Sequence, residues 1–106
     1  MTTLSEQEFR VRADEAIDGA REALLPLADE HEFEVELQNG VLQVIFEEPR
    51  EAKFVISPNA PVRQIWVSAM SRSFKASWDA DRALFALNGE ALPDLLTRLA
   101  REFLAG

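Results

Sequence analysis

Apolar residues recur at helical spacing near both ends of the chain. Between residues 9 and 27, and again between residues 92 and 103, they stand mostly three or four positions apart. Ser5 and Glu8 have the spacing of a capping box, so the first helix is predicted to begin just after Ser5. Pro26 is predicted to end or kink this helix, because a proline disfavours the α region for the residue before it. Pro93 suits the first turn of the closing helix.

The middle of the chain alternates apolar and polar residues, which is typical of strands with one buried face. Two such runs, Phe33 to Leu37 and Val41 to Glu47, flank Asn39-Gly40, a pair that favours a tight hairpin turn because both residues tolerate positive φ. Leu37 is predicted to face inward, and Asp29 to Glu32 is predicted to be a polar connection. Further short strands are predicted at residues 53–57, 64–68, 74–78 and 84–87.

In a strand over residues 64–69, alternation places two β-branched residues and an alanine on one face of the sheet. The side chains on the other face carry an amide, an indole and a hydroxyl. The apolar set suits a core, so Trp66 is predicted to stand outward among polar neighbours. Monomeric proteins rarely expose large aromatic residues without a use, and tryptophan is enriched at binding hot spots. The alternative, that a loop or the C-terminal segment covers the indole as ordinary packing, stays open. The inward set is Ile65, Val67 and Ala69, and the outward set is Gln64, Trp66 and Ser68.

The order of elements is a helix, about five or six antiparallel strands, and a second helix. Two amphipathic helices can cover only one face of such a sheet, so the other face is expected to meet solvent. The sequence therefore predicts an α+β fold in which both terminal helices pack on one face of a single antiparallel sheet. With 106 residues and no linker or repeat, residues 1–106 are expected to form one domain.

Composition removes several classes of chemistry. The chain contains no cysteine, which excludes a thiolate-bound cluster, persulfide transfer and a cysteine nucleophile. His31 is the only histidine, which is too few for most catalytic metal sites, and no glycine-rich phosphate loop is present. No apolar stretch is long enough to span a membrane and no signal-peptide pattern opens the chain. A soluble cytoplasmic protein is expected.

Acidic residues are concentrated in the first half of the chain. Residues 1–51 hold fourteen Asp and Glu against four Arg, whereas residues 52–106 hold five acids against seven bases. This acidity disfavours nucleic acid and favours hard cations or a basic protein surface as partners. The helix face opposite the apolar stripe collects Asp14, Glu15, Asp18 and Glu22, some at a repulsive four-residue spacing. The alternative is a solvated face that only keeps the protein soluble.

The elements and their residues resemble the frataxin family, and the bacterial frataxins in particular, over about residues 5–104. The most specific motif is Pro61-Val62-Arg63-Gln64-Ile65-Trp66-Val67-Ser68, which looks like the tryptophan strand of that family. Asn39 to Leu42, Trp78, Gly89 to Leu92 and Leu95-Leu96 support it. The resemblance implies a frataxin-like α-β sandwich.

The resemblance also implies a function and its site residues. Frataxins bind iron, ferrous or ferric, weakly and labilely through an acidic ridge, with no cluster and no organic cofactor. They dock on the cysteine desulfurase and the scaffold protein that assemble iron–sulfur clusters. By position, the ridge falls on Asp14, Glu15, Asp18, Glu22, Glu30, Glu32 and Glu34. The partner-binding residues fall on Asn59, Gln64, Trp66, Ser68 and Lys75. The chain departs from the family in the last helical turns, where Arg21, Leu25 and Pro26 replace a denser run of acids.

Three functions follow from this sequence. The first is an iron chaperone or regulator of iron–sulfur cluster assembly, expected to be a monomer, with iron-dependent oligomers left open and no contact with nucleic acid or membrane. The second is a carboxylate-based ferroxidase, although the Glu-x-x-His pairs of di-iron oxidases are missing. The third is a small acidic secretion-type chaperone or interaction module without metal.

Overall fold

A computed structural model describes residues 4–106 and shows two helices and seven strands. The helices are α1 (Glu6–His31) and α2 (Leu92–Leu104). The strands are β1 (Glu34–Gln38), β2 (Val41–Phe46), β3 (Ala52–Asn59), β4 (Gln64–Ala69), β5 (Arg72–Asp79), β6 (Leu84–Leu87) and β7 (Glu90–Ala91). A short 3₁₀ turn, Ala60–Val62, joins β3 to β4.

Helix α1 begins where the capping box predicts. The Ser5 hydroxyl accepts a hydrogen bond from the Glu8 backbone N–H at 3.1 Å, and the Glu8 carboxylate accepts one from the Ser5 N–H at 3.0 Å. Two of the orphan donors of the first turn are thereby satisfied. The sequence pattern thus located this terminus correctly.

The other end of α1 contradicts one of the two outcomes predicted for Pro26, that it would end the helix. The helix continues five residues beyond this proline to His31, so the proline does not end it. Asp29 to His31 therefore belong to the helix and not to a polar connection, and Glu32 caps it in the left-handed region at φ 59°. An internal proline costs a helix about 3 kcal/mol, and here Leu24 and Leu27 are buried on either side of it. Their burial offsets that cost.

The strands form one antiparallel sheet in the order β1 to β7, each paired with the next along the chain. The predicted antiparallel sheet is confirmed, but it has seven strands where about five or six were expected. Strand β7 was missed because two residues are too short to show alternation. β3 and β5 are longer than predicted, since Pro58 and Asn59 pair with β4 and the β4–β5 turn contains only Met70 and Ser71.

Both helices pack on the same face of the sheet, which confirms the predicted α+β architecture. The inward residues of β4, Ile65, Val67 and Ala69, are each at most 1% exposed beneath them. Leu37 corrects the pattern: it lies on this face opposite Leu42, yet it remains 40% exposed. Leu37 lies near the end of β1, the edge strand, which has a neighbouring strand on one side only. Among the described residues, neither helix combines the length and apolarity that crossing a membrane requires.

Candidate functional site

The outward face of β4 presents the tryptophan that the sequence pattern singled out. The Trp66 side chain is 38% exposed, while its neighbours Ile65 and Val67 are buried. Its indole Nε1–H donates a hydrogen bond to the Gln64 Oε1 atom at 3.0 Å. Gln64 in turn donates from Nε2 to the Ser77 hydroxyl at 3.2 Å. The prediction that Trp66 faces outward among polar neighbours is confirmed.

Pairing of β3, β4 and β5 brings the other predicted partner-binding residues around this indole. Lys75 lies directly opposite Trp66, with its ammonium 4.9 Å from the ring centroid, within the range of a cation–π interaction. Asn59 is paired with Gln64 across β3 and β4, and Ser68 lies two residues beyond Trp66 on β4, on the same face. We call Asn59, Gln64, Trp66, Ser68 and Lys75 the tryptophan surface.

A shallow pocket of about 350 Å³ adjoins Trp66 on the same surface. Val55 and Ser57 of β3 and Ser73 of β5 contribute to its wall, and none of them was predicted as a site residue. Ser77, the hydrogen-bond partner of Gln64, was missed as well. These residues lie near Trp66 and Gln64 because of the register in which β3, β4 and β5 pair. A local sequence pattern does not show which residues of different strands are paired, so they could not be predicted.

The second tryptophan of the chain belongs to the packed interior. Trp78 is half-buried at the end of β5 and contacts Phe85 edge-on, with ring centroids 5.1 Å apart and an interplanar angle of 65°. Such edge-to-face contacts stabilise aromatic pairs in cores. Trp66 is the more exposed of the two tryptophans and stands on the outward face of the sheet.

The predicted acidic ridge lies along α1 and continues to the start of β1. All of its carboxylates are exposed, and Asp14 reaches the first hairpin, where its Oδ1 atom is 3.9 Å from the position a Cβ would take at Gly40. Glu30 stands in the last turn of α1 and not in a loop. The ridge residues are Asp14, Glu15, Asp18 and Glu22 within α1, Glu30 in its last turn, Glu32 at its cap and Glu34 at the first position of β1.

Ion pairs engage some of these carboxylates locally. Glu15 is 3.1 Å from the Arg12 guanidinium, and Glu22 is 3.0 Å from that of Arg21. The His31 imidazole lies 3.8 Å from the Glu30 carboxylate. Exposed pairs of this kind contribute little to stability, because water screens them. They do place cationic side chains among the acids.

The ridge fits a loosely held cation better than an enclosed one. Within residues 4–106, no three His, Cys, Asp or Glu side chains converge closely enough to hold a metal ion. Solvated carboxylate oxygens suit hard cations, which would keep most of their water ligands here. A resident metal cofactor would require a more convergent ligand set than these residues provide.

A wider pocket, of about 810 Å³, lies at the far end of β5, and neither the ridge residues nor Trp66 line it. Several of its polar side chains are bonded within the fold: Arg63 donates to the carbonyls of Leu4 and Ala60. Hydrogen bonds from Arg82 lower the pKa of the Asp79 carboxyl. Asp79 and Arg82 thereby order the turn between β5 and β6, and Arg63 ties the 3₁₀ turn to the start of α1.

Comparison with known proteins agrees with the observed architecture. The family model of the frataxin-like domain matches residues 2–105. The iron-sulfur cluster assembly protein CyaY of Stutzerimonas stutzeri is 32% identical over 95 residues, which cover 86% of this chain and 84% of that protein. The protein of the same name from Pseudomonas aeruginosa is also 32% identical, over 86% of each chain. That of Pseudomonas putida is 31% identical over 104 residues, 94% of this chain and 89% of the relative.

Proposed function

This chain belongs to the frataxin-like family, and on that premise we propose that it acts in iron–sulfur cluster assembly. In this proposal it is a non-catalytic protein that docks through its tryptophan surface on the complex of cysteine desulfurase and scaffold protein. Iron is its cargo, bound weakly on the ridge. The names of the curated relatives support the assembly role. The cysteine-free composition suits the reducing cytoplasm, where we place the protein.

The exposed indole of Trp66 is the observation that carries the docking proposal. Large aromatic side chains that are partly open to solvent and held by neighbouring residues are frequent anchors of protein interfaces. Here the anchor stands on regular strands, so a partner would meet a surface that needs little reorganisation on binding. The seven-stranded sheet leaves this face uncovered by either helix.

The exposed and separated carboxylates of the ridge are unsuited to an enclosed metal site, but they support the proposal that iron is bound weakly as cargo. Each carboxylate can contribute one or two oxygen ligands while water fills the remaining positions of a ferrous ion. Such binding is expected to be roughly micromolar or weaker, salt-sensitive and shared with other hard cations. Labile binding of this kind suits delivery, because the ion can leave for a better ligand set.

The docking proposal is tested by measuring the affinity of Trp66→Ala for the purified desulfurase–scaffold complex. Truncation of an anchoring tryptophan is expected to cost about 2 kcal/mol or more of binding free energy, roughly a thirtyfold loss of affinity. Val62→Ala is the control, since Val62 is 51% exposed on the 3₁₀ turn outside the tryptophan surface. Equal affinities for wild type and Trp66→Ala would contradict docking through this residue. Capture of a secreted client in place of the assembly complex would favour the chaperone alternative.

A further inference from the structure

The polar side chains around Trp66 divide into those that can meet a partner and those already used to hold the indole. We propose that Gln64 and Ser77 are positioning residues, which fix the Trp66 ring and occupy its N–H so that a partner binds the ring through apolar contact. This inference rests on the proposed docking role of Trp66. It moves Gln64 from a contact residue to a supporting one and adds Ser77 to the site.

The chemistry of the three groups allows one arrangement of this hydrogen-bond chain. An indole N–H can only donate, so the Gln64 atom 3.0 Å from it must be the amide oxygen. The amide NH₂ then faces the Ser77 hydroxyl at 3.2 Å, and that oxygen accepts. Reversing the amide would set two donors against each other at the indole. The orientation of Gln64 is therefore fixed by the indole, since the serine hydroxyl could either donate or accept.

Strand geometry keeps this chain in place. Gln64 and Trp66 are two residues apart on β4 and so project from the same face. Gln64 and Ser77 are direct cross-strand partners, a position where side chains are close enough to interact. All three groups thus stand on paired strands in the middle of the sheet, and none depends on a loop for its position.

The consequence for recognition concerns which part of the indole remains free. The single polar group of the ring is already bonded to Gln64, and the Lys75 ammonium lies over the ring at 4.9 Å from its centroid. A partner group that seeks a hydrogen-bond donor would have to break an existing bond to obtain it. An apolar side chain meets the remaining ring surface without that loss. The chemistry of the surface therefore fits an apolar contact residue on the partner.

The positioning role is tested first without any partner, by NMR of the two indole N–H signals. Trp66→Phe identifies the signal of Trp66. In Gln64→Leu, which has a similar size but no acceptor, this signal is expected to shift and to exchange with water faster. Gln64→Glu retains an acceptor and should restore both properties. Ser77→Ala should give a smaller change, because it removes only the support of the amide.

Ser73→Ala is the matched control on the same face. Ser73 is an exposed serine of β5, paired with Ser68, and it makes no side-chain hydrogen bond to Gln64 or Trp66 among the described contacts. Its substitution should leave the Trp66 signal unchanged. Thermal unfolding of every variant establishes that the fold is intact. An unmoved indole signal in Gln64→Leu would overturn the positioning role.

The second measurement is the affinity of each variant for the desulfurase–scaffold complex. If ordering of the ring assists docking, Gln64→Leu should bind about two- to tenfold more weakly, the range expected when one side chain must be immobilised on binding. Val62→Ala, which lies outside the tryptophan surface, should bind like wild type. If Gln64→Leu shifts the indole signal but binds with unchanged affinity, then holding the Trp66 ring in place does not contribute to docking. Unchanged affinity in Trp66→Ala would instead refute the proposed function, while the NMR result would still decide how the indole is held.

Discussion

The acidic ridge and the tryptophan surface both face solvent but are organised in different ways. Along α1, the ridge carboxylates stand apart, and their ion pairs are with residues one or three positions away in sequence. On the sheet, β4 and β5 bring together residues that are distant in sequence: Gln64 and Ser77 are 13 positions apart and lie 3.2 Å from each other, and Trp66 is paired with Lys75, 9 positions away. The ridge thus consists of separate carboxylates whose contacts are with residues nearby in sequence. The tryptophan surface is assembled by strand pairing, and hydrogen bonds connect its side chains.

This difference predicts different contributions to binding. Separated exposed charges create a field that attracts cations or a basic partner and raises association rates, and salt weakens that effect. A side chain held by its neighbours has less freedom to lose, so it mainly slows dissociation. We expect the ridge to govern how fast partners arrive and the tryptophan surface to govern how long they remain.

The sharpest contrast lies within β4 itself, between adjacent residues on its two faces. Ile65→Ala is expected to lower the free energy of unfolding by about 2–5 kcal/mol, because its side chain is fully buried and truncation leaves a cavity. Trp66→Ala is expected to cost at most about 1 kcal/mol, as for a surface substitution. Chemical denaturation of both variants measures the difference. If Trp66→Ala instead lowered the free energy of unfolding by several kcal/mol, the indole would contribute to stability as a core residue does, and the two faces of β4 would not differ in this respect.

Charge reversal separates the two surfaces kinetically. Asp18→Lys on the ridge is expected to slow association with the desulfurase–scaffold complex up to about tenfold at low salt, with little change in dissociation. Lys75→Glu, beside Trp66, is expected to change mainly the dissociation rate. Association kinetics measured across a salt series test both expectations. Asp94→Lys carries the same change in charge on α2, at a residue that belongs to neither surface, and should change both rates less than the other two variants. A salt-independent loss in Asp18→Lys would argue against steering by the ridge.

The smallest expected effect concerns individual ligands of the ridge. Because no three potential ligands converge among residues 4–106, Asp18→Asn should weaken ferrous binding by only about twofold, unlike the loss of a ligand from an enclosed site. Ferrous titration followed by NMR should broaden amide signals near Asp14, Asp18 and Glu22 and across Glu30 to Glu34. Broadening confined to Asp79 and Asp81 would refute a ridge on this helix. Tight and selective zinc binding would contradict weak oxygen-only coordination.

The elements of this fold that depend on neighbouring residues were predictable from the sequence. Ser5 and Glu8 located the start of α1, because a capping box lies within one helical turn. Asn39-Gly40 located the first hairpin, and both residues have positive φ, 54° and 78°. Alternation in β4 determined which face carries Trp66, since successive side chains must point to opposite sides.

Features that depend on distant parts of the chain were decided by the tertiary structure. The passage of α1 through Pro26 required burial of Leu24 and Leu27 against the rest of the core, which outweighs a local preference. Exposure of Leu37 followed from the edge position of β1, which alternation alone does not reveal. The bond from Gln64 to Ser77 depends on the register of β4 against β5, and a shift of one residue would send Ser77 to the other face. Local sequence thus determined which way Trp66 points, and strand pairing determined what holds it there.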